Sequence, residues 1–280
     1  MQKAGISRCR SWAPLFLALF FIFEMSHVSV AAAEGFYLYG VVESFTWREF
    51  NDSGARLVKE SGPLFGIGLA YSHEFEDHFT LTPKGEIFFG SVDYDGHACD
   101  QLGRCQPATA KTTYFGMELA EDVGRRFRPT QSFFIEPFGG LGLKAWQRDL
   151  KNGTASDGSA TAGYIENWLT LQFRLGVRGG MDLSTSLNMF AEAGVKLPVY
   201  NENTAYVSSI NYGPDITLHP GKQASYFAEI GIKLSRFQAS VFYDGLKFSR
   251  SSAVSNGVIV GAYQPKSTAD IYGVKIGASF

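Results

Sequence analysis

The sequence predicts an all-β chain that forms one closed antiparallel transmembrane β-barrel of about ten strands. Three observations support this fold class: apolar residues recur at every second position, short and long polar connections alternate, and no later segment holds the roughly 20 apolar residues of a membrane-spanning helix. Because strands in lipid satisfy their backbone polar groups only when the sheet closes, this pattern predicts a barrel. Eight strands with one poorly formed hairpin is the nearest alternative, and a soluble β-sandwich is the main structural rival.

The N-terminal segment 1–33 predicts a cleaved secretory signal peptide, which leaves residues 34–280 as the barrel domain. Basic residues precede an apolar run over 12–23, and a stretch of small residues ends at Ala33. The apolar run is too short to span a bilayer as a helix. We therefore expect an exported chain. Its formal net charge of −2 gives no reason to expect a nucleic-acid partner.

The first four strands are predicted over 35–48, 62–75, 79–94 and 112–124. The first has aromatic residues on both faces, so its inward face is left open. In the other three, apolar residues at every second position lie opposite Gly, Ala or polar residues. These apolar series run from Phe65 to Tyr71, from Phe79 to Phe89 and from Phe115 to Leu119.

The next three strands are predicted over 132–148, 163–180 and 187–199. The second of these has the clearest pattern, because five apolar residues from Leu169 to Val177 stand at strict i+2 spacing. A helix would distribute such residues around its axis, whereas a strand places them on one face.

The last three strands are predicted over 223–234, 237–248 and 270–280. The final strand carries an apolar residue at every second position from Tyr272 to Phe280, with Lys275 on its other face. An even number of strands places both termini of the mature chain on the same side of the membrane.

The connections between the strands alternate in length. Short ones are predicted at 76–78, 124–131, 181–186 and 235–236, and long ones at 49–61, 95–111, 149–162, 200–222 and 249–269. Short turns on one side and long loops on the other are typical of transmembrane barrels. Aromatic residues are expected at both interfaces. At the turn ends they are Phe36, Phe75, Phe79, Phe127, Phe133, Phe237 and Phe280, and at the loop ends Tyr94, Trp146, Tyr164, Tyr200, Tyr226 and Phe248.

The chain resembles Gram-negative outer-membrane β-barrel proteins, in particular the small barrels with a polar lumen. The resemblance rests on the signal ending at Ala33 and on the terminal strand with Tyr272 and Phe280. It implies a bacterial outer-membrane location with both mature termini in the periplasm. It also implies outer-membrane lipids and lipopolysaccharide as neighbours, and Tyr272 and Phe280 as a signal for the barrel-assembly machinery.

The face opposite the apolar one carries seven charges of each sign. The cations are Lys84, Lys144, Arg174, Arg178, Lys196, Lys233 and Lys275, and the anions are Glu86, Glu118, Glu136, Glu166, Glu192, Glu229 and Asp244. A ten-stranded barrel is only a little wider than the eight-stranded type that its interior side chains fill. We therefore expect these side chains to meet inside the lumen.

Counting residues back from the short turns predicts one lumenal network near the periplasmic half, formed by Glu118, Glu136, Arg174, Arg178 and Glu192. Within it, Glu136 should lie between the two arginines, and Glu118 should lie near Phe138. The favoured interpretation is an integral envelope protein with a neutral, largely plugged lumen and exposed loops, since buried charges must be paired. A narrow porin-like channel for small solutes is the alternative, although selective pores usually favour one sign of charge.

An enzyme is the third possibility. Ten strands are also the number in the omptin proteases. In that family a pair of aspartates faces an Asp–His pair across the outer rim of the barrel. That resemblance would assign Asp93 and Asp95 to the first pair and Asp215 with His219 to the second, although omptins keep their Asp and His two residues apart rather than four. Asp93 and Asp95 also fit an ordinary solvated strand end. A lipid-modifying enzyme, with the serine, histidine and glutamate of 72–74, is a further alternative, and no cofactor motif is recognised.

Cys99 and Cys105 are expected to form a disulfide in a polar loop, because they are close together in an exported chain. A metal site that adds His97 is disfavoured, since two thiols and one imidazole fall short of a structural zinc set. The hydrophilic loops 149–162 and 200–222 could bind an extracellular ligand, but their composition selects none.

Overall fold

The computed structural model describes residues 35–99 and 104–280, with only the backbone described at Cys99. The expected signal peptide at 1–33 lies outside the described residues. Within the described ranges, ten long strands form one closed antiparallel barrel. They are β1 (Gly35–Phe50), β2 (Arg56–Glu74), β3 (Phe79–Cys99), β4 (Cys105–Arg125), β5 (Phe133–Leu150), β6 (Ile165–Asp182), β7 (Leu187–Ala205), β8 (Ser225–Leu234), β9 (Phe237–Ser249) and β10 (Lys266–Ser279). The structure therefore confirms the all-β barrel with ten strands rather than eight.

Each long strand pairs with its neighbour in sequence, and β1 closes the barrel by pairing with β10. The seam runs from Tyr37 opposite Ser279 to Phe50 opposite Lys266. At the end of the seam nearer the short turns, which we call the lower end of the barrel, the Phe36 N–H donates to the Phe280 carbonyl over 3.3 Å. The Phe280 N–H donates to the Phe36 carbonyl over 2.9 Å. Closure of this seam leaves the ten-stranded wall without a free edge.

Most strands continue beyond their predicted ends on the long-loop side. The predicted loop 49–61 shrinks to residues 51–55, and most of the predicted loop 95–111 is a hairpin of β3 and β4. Four short strands and a 3-10 turn also occupy the predicted loops 149–162 and 200–222. The prediction ended these strands early because polar residues occupy both faces there, although the ladder of backbone hydrogen bonds continues.

The connection between β4 and β5 corrects the predicted position of Glu118. A short strand, Phe127–Thr130, continues the pairing after β4, so the turn lies at residues 131–132 rather than in the middle of 124–131. Gly124 is consequently opposite Phe138, and Glu118 is opposite Lys144. The expected proximity of Glu118 to Phe138 is therefore wrong.

The outward face of the barrel is apolar over its middle. Exposed side chains there include Val42, Ile67, Ile87, Leu175, Ile230 and Val274. The predicted aromatic residues at the turn ends are all exposed as well: Phe36, Phe75, Phe79, Phe127, Phe133, Phe237 and Phe280. No helix within the described ranges is long and apolar enough to cross a membrane.

The predicted aromatic belt at the loop ends is wrong for two of its largest members. Trp146 and Phe248 are buried inside the barrel. They share the strand face of Lys144 and Asp244 respectively, and even-numbered residues of β5 and β9 point inward. These rings belong to the core, which lies within the lumen itself.

Candidate functional site

The lumen is the candidate functional site, and the half nearer the short turns contains a dense set of ion pairs that we call the lower network: Lys84, Asp122, Glu136, Arg174, Arg178 and Glu192. Arg178 is the central cation. Its guanidinium contacts Glu136 at 2.8 Å, Glu192 at 2.7 Å and Asp122 at 3.2 Å. Two of these contacts follow from register, because Glu136 on β5 and Glu192 on β7 both lie opposite Arg178 on β6.

The lower network also extends across the lumen. Lys84 on β3 lies 3.0 Å from Glu192 on β7, and 3.5 Å from Asp122 on β4. Arg174 donates from Nε to Asp122 over 3.0 Å, and its Nη2 lies 3.5 Å from Glu192. Glu136, Glu192 and both arginines therefore meet as the sequence predicted, whereas Glu118 lies outside this group.

Asp122 is the network member that the sequence reasoning missed. Its signal was available, because residue 122 stands four positions after Glu118 and therefore on the same face of β4. Gly140 of β5 lies opposite both Asp122 and Arg174. A Cβ atom at residue 140 would lie 2.6 Å from Asp122 Oδ1 and would also collide with the carbonyl of Glu121. The absence of a side chain at Gly140 thus leaves room for the Arg174–Asp122 pair.

Ion pairs continue from the lower network to the rim at the short-turn end of the barrel. Arg126 contacts Glu136 at 2.7 Å and Glu74 at 2.9 Å. Arg128 contacts Glu74 at 2.6 Å. The Thr80 hydroxyl donates to Glu136 over 2.9 Å. Charge is therefore paired with charge from the middle of the lumen to its opening at the short-turn end.

A middle layer lies above the lower network and takes most of the remaining predicted charges. Glu118 pairs with Lys144 at 2.9 Å, Glu229 pairs with Lys275 at 3.2 Å, and Asp244 pairs with Lys196. The Tyr39 hydroxyl donates to Glu86 over 3.0 Å. Lys233 is half-buried near the short-turn end of β8, opposite Gln238.

A small cavity of about 90 Å³ lies among the side chains of the middle layer. Glu43 lines it, is 5 % exposed, and forms no hydrogen bond or ion pair with another described residue. A cavity of this volume has room for several water molecules, which would solvate the carboxylate.

An aromatic layer formed by Trp47, Trp146, Trp168 and Phe248 crosses the lumen above the middle layer. Trp146 stacks on Trp168 at 5.3 Å between ring centroids, and the edge of Trp47 meets Trp168 at 5.2 Å. Phe248 lies 5.3 Å from Trp168. These rings come from β5, β6, β1 and β9, and β1 and β6 lie on opposite walls of a ten-stranded barrel. The layer therefore blocks the lumen from wall to wall.

Arg148 is the centre of a second buried ion cluster, the upper cluster, with Glu49, Glu60 and Glu166. It contacts Glu60 at 2.7 Å, Glu166 at 2.9 Å and Glu49 at 3.3 Å. The indole N–H groups of Trp47 and Trp168 donate to Glu49 and Glu166, each over 2.9 Å.

The hydrogen bonds from the two indoles join the upper cluster to the aromatic layer. Sequence reasoning placed Glu166 inside but missed Glu49, Glu60 and Arg148. It missed the two glutamates because it ended β1 at 48 and began β2 at 62. Residue 148 shares the inward face of Lys144 and Trp146, so the parity of β5 could have identified its direction.

The four candidate catalytic residues do not share a site. Asp93 and Asp95 of β3 lie on the outward face, where Asp93 pairs with Lys111 at 2.5 Å and Asp95 pairs with Arg56 at 2.9 Å. Asp215 accepts from the Ser208 N–H over 3.0 Å, and His219 Nδ1 lies 3.3 Å from the Asn201 carbonyl. No hydrogen bond or ion pair in the described ranges joins any two of the four. An omptin-like arrangement thus receives no support from this geometry.

The long-loop ends of the strands enclose a cleft of about 920 Å³, the loop cleft. Its lining combines the predicted loops 149–162 and 200–222 with the hairpin of β3 and β4. Gln106 of the hairpin donates to the Ser159 hydroxyl over 3.4 Å. Hydrogen bonds from the hydroxyl and amide of Ser159 hold the pKa of the exposed Asp157 below its ordinary value. Loops that are distant in sequence are therefore fixed against one another around one cleft.

Cys99 and Cys105 lie directly opposite each other in the β3–β4 register. The side chain of Cys99 is outside what the structure describes, so their disulfide stays a prediction. Among the described side chains, no group of three or more His, Cys, Asp or Glu is arranged to hold a metal ion.

Comparison with known proteins shows a likeness in fold. No family model and no curated sequence matches the chain. Among solved structures, the outer membrane protease OmpT from Escherichia coli is similar over 91 % of this chain and 98 % of its own, with a TM-score of 0.60 and 10 % identity. The translocator domain of the autotransporter NalP from Neisseria meningitidis matches with a TM-score of 0.45 and 15 % identity, covering 89 % of each chain. The attachment invasion locus protein Ail of Yersinia pestis matches with a TM-score of 0.33 and 10 % identity, covering 89 % of this chain and 100 % of Ail. The likeness to OmpT shows that the chain has the fold of the outer-membrane β-barrels.

Proposed function

We propose that this chain, which has the fold of the outer-membrane β-barrels, is an integral envelope protein that keeps its lumen closed and acts through its extracellular loops. The apolar outward wall supports a place in a lipid bilayer. The short turns and both mature termini then lie in the periplasm, and the loop cleft faces the exterior. In the same proposal, the segment 1–33 is a signal peptide that is removed on export. Lipopolysaccharide of the outer leaflet then surrounds the barrel.

The contact between Trp47 and Trp168 carries the proposal of a closed lumen. These rings belong to opposite walls and meet at 5.2 Å, and the upper cluster fixes both indoles from above. The lower network adds a second obstruction nearer the periplasm. A selective pore would keep an open path lined by one dominant sign of charge, whereas here cations and carboxylates neutralise one another.

The terminal strand supports assembly by the barrel-assembly machinery. Tyr272 and Phe280 both point outward, and the Phe280 side chain is 75 % exposed. The backbone of the same residue completes the seam with Phe36. Phe280 thus offers an exposed ring for recognition without a role in filling the core.

The loop cleft supports a role in binding at the cell surface. Its lining includes the aromatic side chains of Tyr94, Tyr164 and Tyr212 together with polar groups such as Gln106 and Ser159. Aromatic walls with a few placed polar groups are typical of ligand sites. A disulfide is proposed between Cys99 and Cys105, because directly opposed residues of an antiparallel pair have a Cα separation that a disulfide can span. This bond would stiffen one rim of the cleft.

Solute uptake by liposomes tests the proposed function. Purified barrel is reconstituted into liposomes, and swelling is followed after transfer into an iso-osmotic solution of a small sugar. An open porin at the same protein-to-lipid ratio is the positive control, and protein-free liposomes are the negative control. We expect the barrel to match the protein-free liposomes. Steady swelling that scales with the amount of barrel would contradict the closed lumen and favour the narrow channel.

A further inference from the structure

Three cations form a row on the outward wall near the extracellular end of the barrel, which we call the basic row: Lys247 of β9, Arg48 of β1 and Lys59 of β2. Lys247 and Arg48 both lie opposite Thr268 of β10, and Arg48 lies opposite Lys59. The row thus crosses four adjacent strands in register. Neighbouring strands are about 4.8 Å apart, so the three residues fall within roughly 15 Å.

The direction of these side chains follows from their neighbours in sequence. Trp47 is 1 % exposed, Phe248 is 1 % exposed and Glu60 is fully buried, so all three point into the lumen. Successive side chains of a strand alternate between faces. Arg48, Lys247 and Lys59 therefore point outward.

The basic row has a net positive charge. Arg48 contacts Asp270 at 2.7 Å, whereas Asp95, opposite Lys59, is engaged by Arg56 at 2.9 Å. No ion pair within the described ranges involves Lys59 or Lys247. Two of the three cations are thus available to an anion that approaches the wall from the membrane side.

A group of outward tyrosines lies just below the basic row, toward the middle of the barrel. Tyr243 and Tyr272 are opposite each other with ring centroids 5.0 Å apart. The Tyr243 hydroxyl donates to Asp270 over 3.0 Å, and Lys247 Nζ lies 5.6 Å from the ring centroid of Tyr226. Tyrosine side chains concentrate at the membrane–water interface, so these rings mark its inner edge, and the basic row, up to four residues farther out, lies among the headgroups.

A broad depression of about 1070 Å³ indents the outward wall beside and below these tyrosines. It is lined mainly by outward residues of the strands from β7 through β10 to β1 and β2. The depression exists because small side chains line it: Ser44, Ala191, Ala193 and Ala228. Ala193, Ala228, Tyr243, Tyr272 and Ser44 follow one another across the sheet in register. The depression therefore lies within the apolar band, four residues or roughly 13 Å below the basic row on β1 and β9.

We propose that the basic row and the depression form one binding site for a phosphorylated, multiply acylated lipid of the outer leaflet. The lipid phosphate contacts Lys59, Lys247 and the edge of the Arg48–Asp270 pair, and acyl chains fill the depression. Charge complementarity selects an acidic headgroup, and the apolar depression directly below selects a lipid over free phosphate or a soluble protein. This inference rests on the proposed membrane placement of the barrel and names the lipid neighbour that contacts this part of its wall.

Native mass spectrometry of the purified barrel in detergent tests the site, with diphosphorylated lipid A as the probe. Dephosphorylated lipid A and inorganic phosphate are the comparison ligands. The double variant Lys59→Gln/Lys247→Gln removes the two available cations, and Lys266→Gln, an exposed cation outside the row, is the matched control. We expect the double variant to lose roughly 30-fold in affinity for diphosphorylated lipid A, at about 1 kcal/mol for each cation, and Lys266→Gln to keep the affinity of the unchanged protein.

A second variant tests the acyl part of the site without touching charge. Ala228→Phe fills the depression from β8, and Leu234→Phe, which is outward and exposed on the same strand near the periplasmic end, is its control. We expect Ala228→Phe alone to weaken lipid A binding by at least about fivefold. Equal binding of phosphorylated and dephosphorylated lipid, or unchanged binding by the double variant, would overturn the proposal. Liposome swelling reports separately on the closed lumen, so either proposal can fail without the other.

Discussion

Arg148 and Glu60 form an ion pair inside the barrel, with Nη2 of the arginine 2.7 Å from Oε1 of the carboxylate, and this pair joins β5 to β2. Arg148 also serves Glu49 and Glu166, so one guanidinium compensates three buried carboxylates. The hydroxyls of Thr112 and Tyr114 donate to Glu60 as well. A buried charge is strongly unfavourable when its partner is removed.

Arg148→Ala should therefore destabilise the barrel by roughly 3–5 kcal/mol, because it leaves three carboxylates without their cation. Urea unfolding of the barrel in lipid vesicles, followed by tryptophan fluorescence, measures the change. Lys151→Ala removes an exposed cation of the same region and should change stability by less than about 1 kcal/mol. A loss for Arg148→Ala no larger than that of the control would show that the upper cluster does not stabilise the fold.

Gly140→Ala should weaken the lower network. The added Cβ would crowd Asp122 and displace it from Arg174, at a cost of about 1–3 kcal/mol in the free energy of unfolding. Gly139→Ala is the matched control, because its Cβ would meet the flexible Leu175 side chain at 3.3 Å and the Arg174 carbonyl oxygen at an ordinary 3.9 Å. The same unfolding assay compares the two variants. If both variants lose the same free energy of unfolding, residue 140 does not need to be glycine in order to leave room for Asp122.

Phe280→Ser should reduce assembly into the outer membrane while leaving the purified, refolded barrel nearly as stable. The ring of Phe280 is exposed, and its backbone, which serine retains, forms the seam hydrogen bonds. Heat-modifiable migration of outer-membrane fractions on gels measures assembly. Phe237→Ser changes a comparably exposed ring at the short-turn end of β9 and should assemble normally. Normal assembly of Phe280→Ser would exclude the ring as a recognition signal.

Cys99 and Cys105 should be oxidised in the exported protein. Mass spectrometry after alkylation, with and without prior reduction, should show both thiols protected until reductant is added. Cys99→Ser/Cys105→Ser should leave barrel unfolding unchanged, because the pair closes a short hairpin far from the lumenal core. Free thiols in the exported protein would contradict the disulfide.

The sequence predicted the fold and part of the lumen for a clear physical reason. Period-two alternation specifies which side chains share a face, so the inward direction of Arg174, Arg178 and Glu192 could be inferred. Register could be inferred only where the turn was placed well. Between β5 and β6 it was right only to within two residues, since Glu136 lies directly opposite Arg178 and not between Arg174 and Arg178. It failed at Glu118 because the strand pairing continues to Thr130.

The upper cluster was missed for a different reason. Strands that extend beyond the membrane carry polar residues on both faces, and the alternation that marks a strand in lipid is lost there. Glu49 and Glu60 were assigned to a loop on that basis, although the ladder of β1 and β2 continues past them. Contacts across the lumen, such as that of Trp47 with Trp168, depend on barrel closure and tilt, which no local pattern encodes.

Single-channel recording in planar bilayers tests the closed lumen most directly. The purified barrel is inserted under a steady applied voltage in symmetric salt, beside a preparation of Trp47→Ala/Trp168→Ala/Arg178→Ala, which removes both obstructions. The unchanged barrel should give a silent trace, and the triple variant should give current steps if it folds. The result for the unchanged barrel decides the question: steady, reproducible conductance steps from it would contradict a lumen closed by the aromatic layer and the lower network.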